Sequence, residues 1–328
     1  SNIELLRDKN YKNIERAYQI INDYDEEIDE DDNETEFMQI ERNLNDYERA
    51  AKVAAKYLTT VEPILTSKEN LYGVLKAMPD QAGSKGDVRD IDLKIFQDKE
   101  HIIEVIDIGI SCKNNHEAVK HPRITENPDF AKVWTNGKFE CSHQFVKKMN
   151  GIFDLIDLYA NQYEKWSEVA DKKDNIYYPI IKLYAAEIKR LGTVDENSSE
   201  EEQEQAKLFT KTFFEYMFGV QDFYKFIKED HSCSTKVYPY NMHGHLMKEY
   251  NGCRNERAVQ TITMPEEIVE VRVKPKSKTT IEVYFDQWII SMRLHNADSK
   301  ISRTSLKFDV QIKAQPRKVM GTVLQWED

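Results

Sequence analysis

Two apolar runs joined by a polar turn constrain this chain more than any other feature. They lie in residues 86–123, GDVRDIDLKIFQDKEHIIEVIDIGISCKNNHEAVKHPR. Ile91, Leu93 and Ile95 alternate with Asp90, Asp92 and Lys94, the period of a half-buried strand, and 97–100 is a polar turn. Residues 102–113 are β-branched and apolar enough for an interior strand. The expected unit is a hairpin. Side chains on a strand repeat every two residues, so Ser111 and Lys113 share a face with Gly109. With Asp90 opposite them, a carboxylate, a hydroxyl and an ammonium would meet at one strand end.

That trio suits phosphodiester hydrolysis. A divalent cation neutralises the charge developing on phosphate, and a hard ion such as Mg²⁺ is held by one or two carboxylates plus waters and substrate oxygens. A nearby lysine positions the attacking water or helps to deprotonate it. The nuclease hairpin written PD-(D/E)-x-K uses these roles, but its second acidic position here is Ser111. Asp, Ser and Lys are common residues, so an ordinary solvated strand end is the competing explanation.

GDVRDI at 86–91 and IGISCKNNHEAVKHPRI at 108–124 resemble the catalytic region of type II restriction endonucleases of the HaeIII kind. WIISMRLHNADSKISRTSLKFDVQI at 288–312 and NMHGHL at 241–246 extend the resemblance in the family's order. In that family the second acidic position is commonly serine, which accommodates Ser111. The resemblance implies an α/β fold with a restriction-endonuclease-like PD-(D/E)xK core: a mixed central sheet, flanking helices and a β-rich C-terminal part. It further implies Mg²⁺-dependent cleavage of double-stranded DNA at GGCC, and a cognate DNA methyltransferase as functional partner. Asp90, Ser111 and Lys113 would be catalytic, with Asp90 as metal ligand. Glu62, in Val-Glu-Pro, matches a family Glu-Pro pair and is either a further ligand, a support for one, or a surface glutamate before a turn. A palindromic site would suit a homodimer.

A net charge of −12 argues at first against a polyanionic ligand. The acidity is local, however. Residues 25–36 hold nine acidic side chains, residues 195–204 hold six, neither run holds a basic one, and the rest of the chain carries a net +3. The runs are solvated loops or helix ends, or else they keep DNA away from other surfaces. Four scattered cysteines disfavour a disulfide framework and fit a reducing cytoplasm; no apolar stretch is long enough for a membrane span. Cys233, His243, His245 and Cys253 offer four zinc ligands in a spacing that fits no compact zinc pattern, leaving a zinc-containing DNA-binding protein without cleavage activity as the alternative function. A non-catalytic interaction protein on a nuclease scaffold is a third.

Four regions are expected within one unit. Residues 1–79 read as helical, with segments at 1–24, 37–57 and 67–78. Residues 80–142 hold the hairpin, reached through the glycine-containing DQAGSKG; Arg89 either pairs with a carboxylate or touches DNA. After the hairpin, a helical turn would bring Asn115, His116, Lys120 and His121 to the strand end as positioning groups or phosphate contacts. Residues 143–230 read as helices, the last from 206 to 228 and rich in aromatics, an ordinary core stripe. In 231–328, short β-rich runs at 268–274, 280–285, 289–294 and 306–313 form a sheet. Arg293, His295, Asn296 and Lys307 there are candidates for base and phosphate contact.

Overall fold

The computed structural model describes residues 2–6, 34–67, 69, 71–78, 87–98, 100, 103–252 and 259–327, with side chains from residue 44 onward. Its central sheet has seven strands: β1 (Asn2–Leu6), β2 (Tyr72–Ala77), β3 (Ile91–Phe96), β4 (Glu104–Asn114), β6 (Phe223–Glu229), β7 (Ser234–Tyr240) and β12 (Thr322–Gln325), in that spatial order. The sheet is mixed. β1 runs parallel to β2 and β4 parallel to β6, while the other neighbours are antiparallel. β4 is central, and its Ile108–Ser111 stretch is buried, as its composition requires.

A parallel pair cannot be closed by a tight turn, so a long excursion separates β4 from β6. It contains β5 (Ala118–Lys120) and the helices α2 (Phe130–Trp134), α3 (His143–Gln162), α4 (Tyr178–Gly192) and α5 (Glu200–Phe218). Ser142 caps α3 by accepting from Phe145 N. Ser199 and Glu202 form a capping box at α5, whose first turn carries Glu200, Glu201 and Glu202, so much of the second acidic run complements a helix dipole. The second sheet is antiparallel, in the order β5, β11 (Leu306–Ala314), β10 (Ile289–Asn296), β9 (Thr280–Phe285) and β8 (Ile268–Val273).

Each face of the central sheet has its own core. On one, α1 (Glu34–Val61) and the following turn bring Leu58, Val61 and Ile64 onto Leu93, Ile95, Ile108, Ile110, Tyr224 and Phe226. On the other, Phe223 and Tyr240 join the larger core formed by the helices and the second sheet. The aromatic stripe of α5 is core, as expected: Phe213, Phe214 and Phe218 are fully buried.

Several expected boundaries move. Residues 72–77 form a strand instead of a helix, and Ala118–Lys120 is a strand instead of a helical turn. The aromatic helix stops at Phe218, where Gly219 takes a φ of 87°, and Phe223, Tyr224 and Phe226 lie on β6. That run is buried on both faces, so its apolar residues carry no period that separates strand from helix. Asn2–Leu6 is a strand, not the start of a helix; the rest of the 1–24 expectation, the DQAGSKG segment and most of the first acidic run lie outside the described residues. The central sheet takes strands from all four expected regions. No described helix is long and apolar enough to cross a membrane, and Cys112, Cys141 and Cys233 are free.

Phe214 links α5 to the second sheet, its ring centroid 5.3 Å from Phe285 and 5.0 Å from Trp288. Phe214→Ala is expected to cost about 3–5 kcal/mol through lost burial and a residual cavity, measured as a lower midpoint in urea unfolding.

Candidate active site

Asp90 sits just before β3, its N–H donating to the Ile110 carbonyl at 2.8 Å. Ile91 pairs with Ile110 and Asp92 with Gly109, which puts Asp90 across from Ser111. Its Oδ2 accepts from Ser111 Oγ at 3.1 Å, from Cys112 N at 2.6 Å and from Lys113 Nζ at 3.2 Å. The expected carboxylate, hydroxyl and ammonium therefore converge. Ser111 is buried, whereas the Asp90 side chain is 46% exposed and opens to solvent.

A second polar knot lies deeper on the same strand face. Arg89 crosses over Gly109, where an added Cβ would stand 2.3 Å from Arg89 Cδ and 2.8 Å from the Asp222 carbonyl oxygen. Glycine makes that crossing possible. The guanidinium beyond it bonds Asp87, Asp92 and Asp107 at 2.9–3.0 Å. Burial pushes the Asp92 acid up to about 7, and hydrogen bonding to Asp107 adds to the shift. Burial acts against ionisation of Asp107 too, but the bond from Asp92 and the charges of Arg89 and Lys94 hold it below the ordinary carboxylate range. Of the two roles open to Arg89, the geometry gives it the carboxylate partners.

Asp90 and Lys113 line a cleft of about 460 Å³ together with Asp87, Arg89, Lys120, His121, Arg123 and Tyr216. Next to it, β10 and β11 present Arg293, His295, Lys307 and Asp309 along one face, with Arg293 opposite Asp309 and His295 opposite Lys307. His121 Nδ1 lies 3.4 Å from Asp309 Oδ1, and the His116 and His121 rings stand 5.9 Å apart. Burial lowers the pKa of His116, His121 and His295, helped by Lys113 at the first and Lys307 at the other two; His121 falls to about 4. These imidazoles are neutral at neutral pH.

The same combination of hairpin and basic face accompanies a family relationship that spans the chain. Residues 9–316 match the family described as HaeIII restriction endonuclease. Over 328 residues the chain is 30% identical to the type II restriction enzyme HaeIII of Haemophilus aegyptius, covering all of this chain and 91% of that protein. The chain belongs to the HaeIII restriction endonuclease family. It is a restriction endonuclease, a nuclease whose substrate is DNA. No solved structure matches it.

Not every expected site residue of this restriction endonuclease reaches the cleft. Glu62 is the clearest correction. Tyr224, which hydrogen-bonds Glu62 Oε1, pairs with Ile110 on the opposite face of the sheet from Ser111, so Glu62 is not brought to Asp90. Glu62 Oε1 also accepts from Met247 N at 2.9 Å, while Oε2 is buried without a partner. Asn115 locks a turn: with a φ of 54°, it accepts from Asp230 N at 3.0 Å and donates to the Asp230 carboxylate. Asn296 donates to the Asp298 carbonyl at 3.0 Å. The zinc grouping does not form, because Cys233 lies before β7 and His243 and His245 lie beyond its far end, about 20 Å away for seven extended residues. Cys253 lies outside the described residues, and no described cluster of His, Cys, Asp and Glu could hold a metal by three or more ligands.

Two residues near the site escape a motif search. Asp309 is the carboxylate at the centre of the basic face, 3.6 Å from Arg293 and 3.3 Å from Gln311 Nε2. Lys225 pairs in register with Ser111 and donates to the Glu117 carbonyl at 2.5 Å. Burial, with the charge of Lys113, pushes its ammonium down to about 8. The alternation Lys307-x-Asp309-x-Gln311 signals the first, but Lys225 sits in an apolar run whose partner strand is far away in sequence.

Burial raises the Glu62 acid from 4.5 to about 7, against the opposing hydrogen bonds of Tyr224 and Met247. The fold therefore keeps a proton that the unfolded chain releases, and loses stability as pH rises through that window. The contribution of Glu62 is expected to fall by about 3 kcal/mol between acid and neutral pH. Glu62→Gln should gain on the parent in urea unfolding as pH is raised from about 5 to about 8; a constant difference between the two would contradict this assignment.

Proposed function

We propose that this protein is a type II enzyme that hydrolyses both strands of duplex DNA at GGCC with Mg²⁺, using a hairpin of the PD-(D/E)xK kind. The convergence of Ser111, Cys112 N and Lys113 on Asp90 Oδ2 carries this reading. The specificity rests on the relative: the chain resembles a type II restriction enzyme named HaeIII, and the resemblance read from its motifs implies GGCC.

The residues fit a hard divalent ion. Mg²⁺ keeps several waters and needs only one or two protein carboxylates, and Asp90 is a half-exposed carboxylate at the mouth of a cleft. Asp90 would hold the ion, which when bound offsets the charge developing on the phosphate. Lys113 donates to Asp90 Oδ2 and keeps further N–H donors with which to orient the attacking water and a phosphate oxygen. The buried Ser111 hydroxyl fixes the carboxylate rotamer and adds no second negative charge.

The active site meets the same phosphodiester at every sequence, so discrimination must come from donors on the neighbouring face. Guanine presents O6 and N7 in the major groove, which an arginine can engage with two bonds. Arg293, 59% exposed and leaning toward Asp309, takes this role; Lys307, His116 and His121 contact the backbone, and His295 and Asn296 support the edge of the face. A palindromic target suits a two-fold homodimer, and protection of the host's own sites calls for a cognate methyltransferase.

Asp90→Ala and Lys113→Ala should abolish cleavage in Mg²⁺ while duplex binding in Ca²⁺ persists, since binding and the chemical step draw on different contacts. Ser111→Ala should impair cleavage less than Asp90→Ala. Full cleavage by Lys113→Ala would remove that lysine from the mechanism. In binding assays with Ca²⁺, Arg293→Ala should cost about 1–3 kcal/mol on a GGCC duplex and less on a random one, whereas Lys307→Ala should weaken both alike. Equal losses for Arg293→Ala would reassign it to the backbone, and a parent without preference for GGCC would remove the specificity.

A further inference from the structure

Lys120 ends β5 on the side that points inward, paired with Val310 and only 6% exposed. Its ammonium donates to the Tyr216 carbonyl at 2.5 Å and stands 3.4 Å from the centroid of the Tyr216 ring. An ammonium has three donors, and among the described residues Lys120 has one hydrogen-bond acceptor and no ion-pair partner. Leaving donors of a buried cation unused is costly, so such a group either gives up its proton or gains acceptors when an anion arrives.

Its position indicates which ligand. Lys120 lines the same cleft as Asp90 and Lys113. The other titratable groups lining that cleft are Asp87, Arg89, Asp90, Lys113, His121 and Arg123. Asp87 is already bonded by Arg89 and Asp90 by Lys113, so neither carboxylate is left as a counter-ion for Lys120. We propose that Lys120 seats a non-scissile phosphate of the bound strand, beside the phosphate that is cleaved at Asp90 and Lys113. The proposal rests on the nuclease reading above and adds to it a second anion subsite with its own linkage.

That linkage follows from burial, which pushes the Lys120 ammonium down from 10.5 to about 7 against the weaker pull of Asp87. The free protein is therefore partly deprotonated there at neutral pH. A phosphate oxygen arriving at Nζ restores the charge, so binding takes up a proton and weakens as pH rises above about 7. His121 titrates well below this range; Lys225, lowered to about 8, titrates within it but lines a separate cavity with Glu117 and Tyr240.

The test measures affinity for a GGCC duplex with Ca²⁺ in place of Mg²⁺, at about pH 6.5 and about pH 8.5, with each phosphate replaced in turn by a neutral methylphosphonate. The parent should bind about tenfold more weakly at the higher pH. One methylphosphonate next to the scissile position should abolish that difference. Lys120→Met should bind equally weakly at both values, with a salt slope lower by about one, and the same methylphosphonate should cost it nothing further. Should Lys120→Met fail to fold, the scan on the parent still decides. A pH difference that survives in Lys120→Met, or at every neutralised phosphate, overturns the proposal, as does pH-independent binding by the parent. A parent that binds no duplex overturns the nuclease reading itself.

Discussion

The register of β3 against β4 is the constraint on which the site depends. A slip of one residue would carry Asp90 to the opposite face of the sheet, away from Ser111 and Lys113, and would turn Leu93 and Ile95 away from their core. The alternation of apolar and polar residues already disfavours that slip. Arg89 adds a second restraint, because its guanidinium joins Asp92 on one strand to Asp107 on the other and reaches both only across the bare backbone of Gly109. The arrangement also keeps acidic side chains near the site neutralised, so Asp90 remains the carboxylate that faces the cleft.

The two sides of the central sheet divide the work. The face toward α1 holds Glu62, Tyr224 and the smaller core, and its buried acid is satisfied at one oxygen only. The other face holds Asp90, Ser111, Lys113 and Lys225, and continues through β5 into the second sheet with its histidines and arginine. Three lysines on that side are each held differently: Lys113 by Asp90, Lys120 by a carbonyl and a ring, Lys225 by a carbonyl. Because a hydroxyl stands at position 111, Asp90 has no second carboxylate across from it at the strand end, while Asp87, Asp92 and Asp107 on this side are bonded to Arg89.

Much of this was legible in the sequence, for identifiable reasons. The first arm of the hairpin alternates with period two, and its second arm and the four C-terminal runs are rich in β-branched and apolar residues between polar turns, so their positions follow from pattern alone. The helices at 143–162 and 178–192 show apolar residues at helical spacing, and Ser142 marks the start of the first. Legibility ended where a segment is buried on both sides, as at β6, or too short to show a period, as at β5. Glu62 looked like a candidate because the chain places it just upstream of the hairpin; which face of a sheet a preceding helix covers is a tertiary fact. Lys225 is not legible because its partner strand is remote in sequence, whereas Asp309 lies in an alternation that shows its face but not its partners His121 and Arg293.

The step from β4 to β5 is short and stiff. Asn114 ends one strand and Ala118 begins the next, and between them Asn115 is clamped to Asp230 at the head of the β6–β7 turn. β5 then pairs with β11, the strand that carries Lys307 and Asp309. With so few residues and so many bonds, the end of β4 that carries Ser111 and Lys113 and the face beside it cannot slide past each other. In the proposed role this makes the enzyme a ruler: substitutions that alter which bases are preferred should leave the spacing between recognised bases and broken bond unchanged, because that spacing is set by the sheet and not by a loop.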